Sequence, residues 1–256
     1  MAFSRDELRA GFRGLGLEPE SRVVVHSSLS SLGQVEGGAE TVVDALLDAV
    51  GPDGTVAVPT FTRYDEPYDP AESPSTTGAV TDALWQRDDA VRSPHPTKSI
   101  AAIGPDADAL VADHEPSNSL GPESPLHRLL ERDGRILLLG VDHTANSALH
   151  VAERLANVPY RDQVAMAETR IDGAVESVEV NRVHCSRGFD VVRPLADHAG
   201  IVARGRIGKA DARLLNGDAL LSLVVELLAA DPGALLCAVP DCDRCQYARE
   251  RLDESA

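Results

Sequence analysis

RILLLGVDHTANSALHVAERLANV, residues 135–158, holds the signal on which the fold turns. Its first seven residues are an apolar run without polar alternation, the pattern of a strand covered on both faces. After a polar turn, Asn146 or Ser147 can cap a helix that runs through His150 and Glu153. A buried strand feeding directly into a helix is the unit of an α/β sheet with helices on its faces.

Working outward, the same alternation recurs upstream. RVVVH (22–26) is a short β-branched run, HSSLSSLGQVEGG is a Ser/Gly loop, and TVVDALLDAV carries apolar residues at 42, 43, 46, 47 and 50, the spacing of one helix face. Gly51-Pro52 stops that helix. TVAVPTFT (55–62) reads as a second apolar strand, although Pro59 argues against a central, regularly paired position. Beyond the aperiodic loop RYDEPYDPAESPSTTG (63–78), the helix GAVTDALWQRD leads through VRSPHPTKS to the small-residue strand SIAAIG. LGPESPLHRLLERDG predicts a helix with Pro125 in its first turn and Gly134 at its end. Downstream, ETRIDGAVESVEV predicts a hairpin around Asp172-Gly173, and ADARLLNGDALLSLVVELLAA a final helix. The expected class is α/β: a layered α/β/α unit with a largely parallel central sheet plus a small C-terminal hairpin and helix. One domain is expected over residues 1–256, with strand and helix alternating over 1–160 and the hairpin, final helix and cysteine-containing tail over 161–256; 256 residues suit one such unit.

Charge narrows the function. The chain has 41 acids against 24 bases, a formal net charge of -17, and its only lysines are Lys98 and Lys209. Nucleic-acid binding needs a basic face to displace counterions, so a DNA or RNA partner is not expected, nor is an anionic membrane surface. The acidity reads as a solvated surface suited to high salt, with attraction for a cationic ligand as a compatible second reading. MAFSRDELRAGF has neither a signal-peptide core nor a transit composition, and no apolar run approaches the ~18 residues of a membrane span, so a cytoplasmic protein is expected.

Standard signatures are missing: there is no G-x-S-x-G, no G-x-G-x-x-G and no phosphate loop. The densest polar site follows RILLLGV, at the carboxyl end of a strand, where open α/β sheets place ligands. It holds Asp142, His143, Asn146, His150 and Glu153. Asn146 at i-4 and Glu153 at i+3 project from the side of the helix that carries His150. An imidazole titrates near neutrality, and a carboxylate beside it fixes its tautomer, which is the arrangement for general base work. The plainer reading is a helix-terminal histidine with an ion pair. A metal-dependent hydrolase using Asp142, His143, His150 and Glu153 is the alternative enzyme, although no H-E-x-x-H spacing supports it. HSSLSSLG (26–33) could surround phosphate or pantetheine through hydroxyls and backbone N–H groups, or be a Ser-rich connector. Arg92, His95 and Lys98 form a cationic knot, which suits a polyanion or a solvated loop. CDRC (242–245) with Cys185 and Cys237 could supply four zinc thiolates, but only one C-x-x-C is present and Cys237 reads as core packing, so no metal ligand is assigned.

Taken in order, HSSLSSLGQVEGGAETVVDALLDAVGPDGTVAVPTFT, RSPHPTKSIAAIG, GPESPLHRL, RILLLGV and LHVAE resemble the antibiotic N-acetyltransferase family, founded on the aminoglycoside 3-N-acetyltransferases. The resemblance covers roughly residues 20–160 and reaches weakly to GRIGKADARLL (205–215). It implies an acetyl-coenzyme A dependent enzyme acting on a small-molecule amine such as an aminoglycoside, by direct transfer. It implies His150 as general base, with Glu153 orienting it or holding substrate. It places His26, Ser27, Ser28, Ser30, Ser93, His95, Lys98 and Ser99 on the cofactor side. Asp65, Glu66 and Asp69 fall in the acidic substrate loop, and Asn146 is expected beside the substrate. A non-catalytic coenzyme A-binding relative is the third reading. The tail CDRCQYARERL departs from what resistance members carry.

Overall fold

The computed structural model describes residues 2–64 and 66–255. Its elements run α1 (Arg5–Leu15), β1 (Arg22–Ser27), α2 (Ala39–Val50), β2 (Thr55–Pro59), α3 (Ala79–Trp85), β3 (Val91–Arg92), β4 (Ile100–Ile103), α4 (Ala107–Val111), α5 (Pro125–Glu131), β5 (Arg135–Leu139) and α6 (Ala148–Leu155). The second half adds β6 (Val164–Ile171), β7 (Ala174–Asn181), α7 (Val192–His198), β8 (Val202–Ile207), β9 (Ala210–Asn216), α8 (Gly217–Ala230) and α9 (Asp243–Ser255).

Seven strands form one mixed sheet in the order β3-β4-β2-β1-β5-β9-β8. Its centre, β2-β1-β5, is parallel, and the strands on either flank pair antiparallel. Helices cover both faces. Val23, Val25, Val56, Val58, Leu137 and Leu139 turn toward α1, α2 and α3, where Leu8, Phe12, Leu46 and Leu84 meet them. Val24, Ala57, Ile136 and Leu138 turn the other way, onto Leu129, Leu149, Val151, Leu220 and Val224. Burial on both sides is why β1, β2 and β5 read as unbroken apolar runs. The layered α/β/α expectation and the hairpin at Asp172-Gly173 are both present, the latter as β6 and β7 paired from Val164↔Asn181 to Ile171↔Ala174.

Two local readings change. Residues 210–216, read as the start of the final helix, are the strand β9, paired with β5 from Arg135↔Asn216 to Leu139↔Ala212. Sheet pairing overrides the helix-compatible composition of ADARLL, and the helix starts only at Gly217, capped by the Asn216 side chain, which accepts from the Ala219 N–H at 2.9 Å. β2 lies inside the sheet despite Pro59. The pairing with β1 stops at Ala57, and Pro59 is the last residue of the strand, where only β4 lies opposite.

The loop 63–78 is pinned rather than free where it passes β6. The Tyr68 N–H donates to Glu168 O and the Arg170 N–H to Tyr68 O, each at 2.8 Å, while the buried Tyr68 hydroxyl donates to Ser93 O at 2.7 Å. Among the described residues no helix is long and apolar enough to cross a membrane.

Candidate active site

β1 and β5 end side by side and their following loops part, the place where a crevice opens in an α/β sheet. Here it is a cavity of about 750 Å³. His26 and Ser27 at the end of β1 form one wall, the turn after β5 brings Asn146 and His150, and Lys98 enters before β4. The segments 183–187 and 241–244 close the far side.

α6 buries Ala148, Leu149, Val151 and Ala152 in the core, so His150 and Glu153 hold a fixed orientation. His150 Nδ1 lies 2.8 Å from Glu153 Oε2. The same Oε2 accepts from Arg161 Nη1 at 2.7 Å, and the Tyr160 hydroxyl donates to Oε1 at 3.4 Å. Arg161 also donates to the His150 carbonyl at 3.1 Å. Tyr160 and Arg161 belong to the single turn Pro159–Asp162 just beyond α6. An ionised carboxylate only accepts, so the imidazole proton sits on Nδ1 and Nε2 is the basic nitrogen. Phe189 meets the ring edge-on, centroids 4.8 Å apart.

Burial lowers the His150 pKa below the ordinary imidazole value; Glu153 opposes that, while Arg161 and Lys98 reinforce it. For Glu153, burial works upward, yet the hydrogen bond and charge of His150 together with Arg161 hold the carboxyl below its usual range. The pair is therefore a neutral imidazole over an ionised carboxylate near neutral pH. Burial likewise takes His26 and His184 down to about 4. Lys98 falls to about 8 through burial and then the charges of Arg244 and Arg161, and its ammonium stands 4.5 Å from the centre of the Phe61 ring.

Of the residues singled out from sequence, His26, Ser27, Lys98, Asn146 and His150 meet in this cavity. Glu153 is fully buried beneath His150, which suits orienting the ring and rules out holding substrate directly. Ser93, His95 and Ser99 are fully buried and do not reach the cavity. Ser93 Oγ is bonded to His114 Nδ1 at 2.9 Å, His95 Nε2 to Ser119 Oγ at 3.0 Å, and Ser99 Oγ donates to Thr60 O at 2.8 Å, so these three brace the polar interior. Arg92, the third member of the cationic knot, donates to Ser73 O at 2.6 Å and Thr60 O at 2.8 Å and stacks on Trp85. Ser28 and Ser30 lie off the cavity wall with hydroxyls 3.2 Å apart, and the Ser28 N–H is taken by Leu139 O. Glu66 is exposed away from the cavity; the Asp69 carboxylate turns back onto the Ala71 N–H at 2.9 Å. Asp65 lies outside the described residues.

The hydrolase cluster does not assemble. Asp142 Oδ1 accepts from the Thr144 N–H at 2.9 Å, His143 Nδ1 lies 3.3 Å from Asn146 Nδ2, and Glu153 is matched by Arg161. Among the described residues, the one group of His, Cys, Asp or Glu atoms close enough to share a metal ion is Cys185, Cys237, Cys242 and Cys245. Cys237 is therefore one corner of a thiol cluster, not core filling. Sequence reading missed Arg161, His184, Arg187, Asp241, Asp243 and Arg244. Of these only the last three carried a local signal, their place around C-x-x-C.

The family model described as aminoglycoside 3-N-acetyltransferase matches residues 24–229. Aminoglycoside N(3)-acetyltransferase IV from Salmonella sp is 36% identical over 230 residues, covering 88% of this chain and 87% of that protein. The crystal structure of aminoglycoside acetyltransferase AAC(3)-IVa as apoenzyme superposes with a TM-score of 0.91 at 34% identity, over 98% of each chain; a histidine-to-alanine mutant of that protein in complex with apramycin gives 0.84 at 33%, over 95% and 98%. AAC-IIIb in a binary complex with CoASH gives 0.83 at 25%, over 90% of this chain and 97% of that one. With its fold and most of its length shared in this way, the chain belongs to the aminoglycoside 3-N-acetyltransferase family.

Proposed function

We propose that this chain transfers the acetyl group of acetyl-coenzyme A directly to an amine of an aminoglycoside or a similar amino sugar or polyamine, with His150 as general base. Family membership supports acyl transfer, and the complexes of relatives with apramycin and with CoASH support both ligands in this cavity. The observation that carries the base assignment is the 2.8 Å bond from His150 Nδ1 to the buried Glu153 in the cavity wall.

Amines are protonated near neutral pH and cannot attack until a base removes the proton. Nε2 of His150 takes it, and the Glu153 carboxylate stabilises the imidazolium that results. Arg161 keeps Glu153 ionised throughout. Bound acetyl-coenzyme A supplies an already activated thioester, so the enzyme needs no nucleophile of its own. Lys98, Arg187 and Arg244 face the cavity in a chain of net charge -17, and such a local cationic group fits phosphates. Asp241 and Asp243, on the same wall, suit the cationic amines. The N–H groups of Ser28, Ser31 and Gly33 donate within the protein, so these three are not donors for the oxyanion. The rest of the acidic surface we read as solvated and suited to high salt.

Thiol release from acetyl-coenzyme A, measured against aminoglycosides, polyamines and amino sugars, tests the activity; cofactor binding without turnover on any of them would overturn it in favour of a binding protein. For His150→Ala we expect a fall in kcat of ~10²–10⁴-fold, the usual worth of a general base. A variant at full rate would sink the base assignment. Intact mass after incubation with acetyl-coenzyme A alone should be unchanged, because a stable acetyl adduct contradicts direct transfer.

A further inference from the structure

We propose that Cys185, Cys237, Cys242 and Cys245 bind one zinc ion as four thiolates, a structural site that fastens the C-terminal helix to the wall of the cavity. The four sulfurs are buried and lie within 4.8 Å of one another. Zinc with Zn–S bonds of ~2.3 Å in a tetrahedron sets sulfurs ~3.8 Å apart. Cys185 and Cys237 Sγ are 3.9 Å apart, close to that edge. Three ligands follow the spacing C-x4-C-x2-C, and the fourth arrives from a segment 52 residues earlier.

Hydrophobic packing does not account for the cluster. It stands apart from the two cores on the sheet faces, and Leu236 is the partly buried apolar side chain packed against it. Backbone donors are already aimed at sulfur, the Arg187 N–H at Cys185 Sγ at 3.4 Å and the Cys237 N–H at Cys245 Sγ at 3.3 Å, as in the outer shell of a thiolate site. Binding zinc releases one proton for every thiol still protonated, and no oxidation is involved. The excess negative charge of four thiolates has Arg249 at hand, whose Nη2 donates to Cys237 O at 2.5 Å.

Position gives the site its purpose. Between α8 and α9, residues 231–242 contain no regular element, and a metal staple would hold such a segment where apolar burial is small. Cys185 and Cys242 themselves line the cavity, beside Arg187, Asp241 and Arg244. Losing the ion should loosen that wall and leave the His150–Glu153 pair on α6 in place.

Zinc measured by mass spectrometry on the full chain, purified under reduction without chelator, should amount to one ion per chain. Exchange with Co²⁺ should give the thiolate charge-transfer and d–d absorption of a tetrahedral site. Cys242→Ser and Cys245→Ser should lose both, and the wild-type cobalt spectrum decides even where a variant fails to fold. Chelator-stripped enzyme should show a raised KM at nearly unchanged kcat, as a binding wall rather than a base would. Zinc-free protein that gives no such cobalt spectrum, or cysteines recovered as disulfides from reduced cytosol-like conditions, would overturn the site. The zinc and cobalt readouts do not depend on acetyl transfer, so the two proposals can fail separately.

Discussion

At the residue scale the site rests on one buried charge balance. Glu153 is ionised at zero exposure because His150 and Arg161 both reach its Oε2, and its second oxygen meets Tyr160. Arg161 serves two ends: it satisfies the carboxylate and it disfavours the imidazolium. The acid limb of kcat/KM should therefore lie below the ordinary imidazole value of ~6.5, since a lowered pKa leaves the base neutral to lower pH. In Arg161→Met the proton affinity of the His150–Glu153 pair rises, and the limb should move to higher pH. A pH–rate profile checks the sign, and an unmoved limb would mean that Arg161 does not act on the pair. The same variant should lose ~3–5 kcal/mol of stability, as when one partner of a buried ion pair is removed. The i, i+3 spacing of His150 and Glu153 was legible in the sequence, because two residues one helical turn apart must share a face. Arg161 was not, because it sits beyond the helix on a turn whose path no periodicity describes.

At the element scale the junction of β9 and α8 shows how little chain is needed to switch structure. Asn216 ends the strand opposite Arg135 and its side chain caps the helix, while the Gly217 N–H donates to Gly134 O at 3.0 Å. A Cβ on Gly217 would stand 2.4 Å from Leu130 Cδ2 and 2.6 Å from Gly134 O. Asn216→Ala should cost about 1 kcal/mol, the worth of a cap, with kcat/KM unchanged. Gly217→Ala should cost more, because the backbone oxygen it meets cannot move aside. Urea unfolding of the two variants measures both, and an inverted order would refute the account. The strands β1, β2 and β5 could be read directly because burial on both faces leaves a composition signal. β9 could not, since its alanines and leucines suit a helix equally and only the register against β5 decides.

At the scale of the whole molecule, burial of neutral histidines ties stability to pH. His26, His114, His143 and His184 are each lowered to about 4 by burial. Their contribution is fully present above the unfolded value near 6.5 and is lost as pH falls toward the folded value. Across that window the unfolded chain binds more protons, at up to about 1.4 kcal/mol per pH unit for each histidine. The melting temperature should therefore fall steeply as pH is lowered from 6.5 to about 4, and a flat melting temperature across that range would contradict the buried neutral state.

The sequence by itself determined the layered α/β class and the His150–Glu153 pair, while the largely parallel sheet it predicts holds only for the centre, β2-β1-β5, the flanking pairs being antiparallel. The class and the pair follow from periodicity, composition and one-turn spacing, all of which act within a few residues. Only the tertiary structure decided that Ser93, His95 and Ser99 brace the interior while Arg187, Asp241 and Arg244 face the cavity. It alone set Arg161 under Glu153 and gathered Cys185 with Cys237 across 52 residues of chain. Contacts over such separations depend on how sheet and helices dock, and docking is set by the summed burial of the whole core, which leaves no local mark on the residues it brings together.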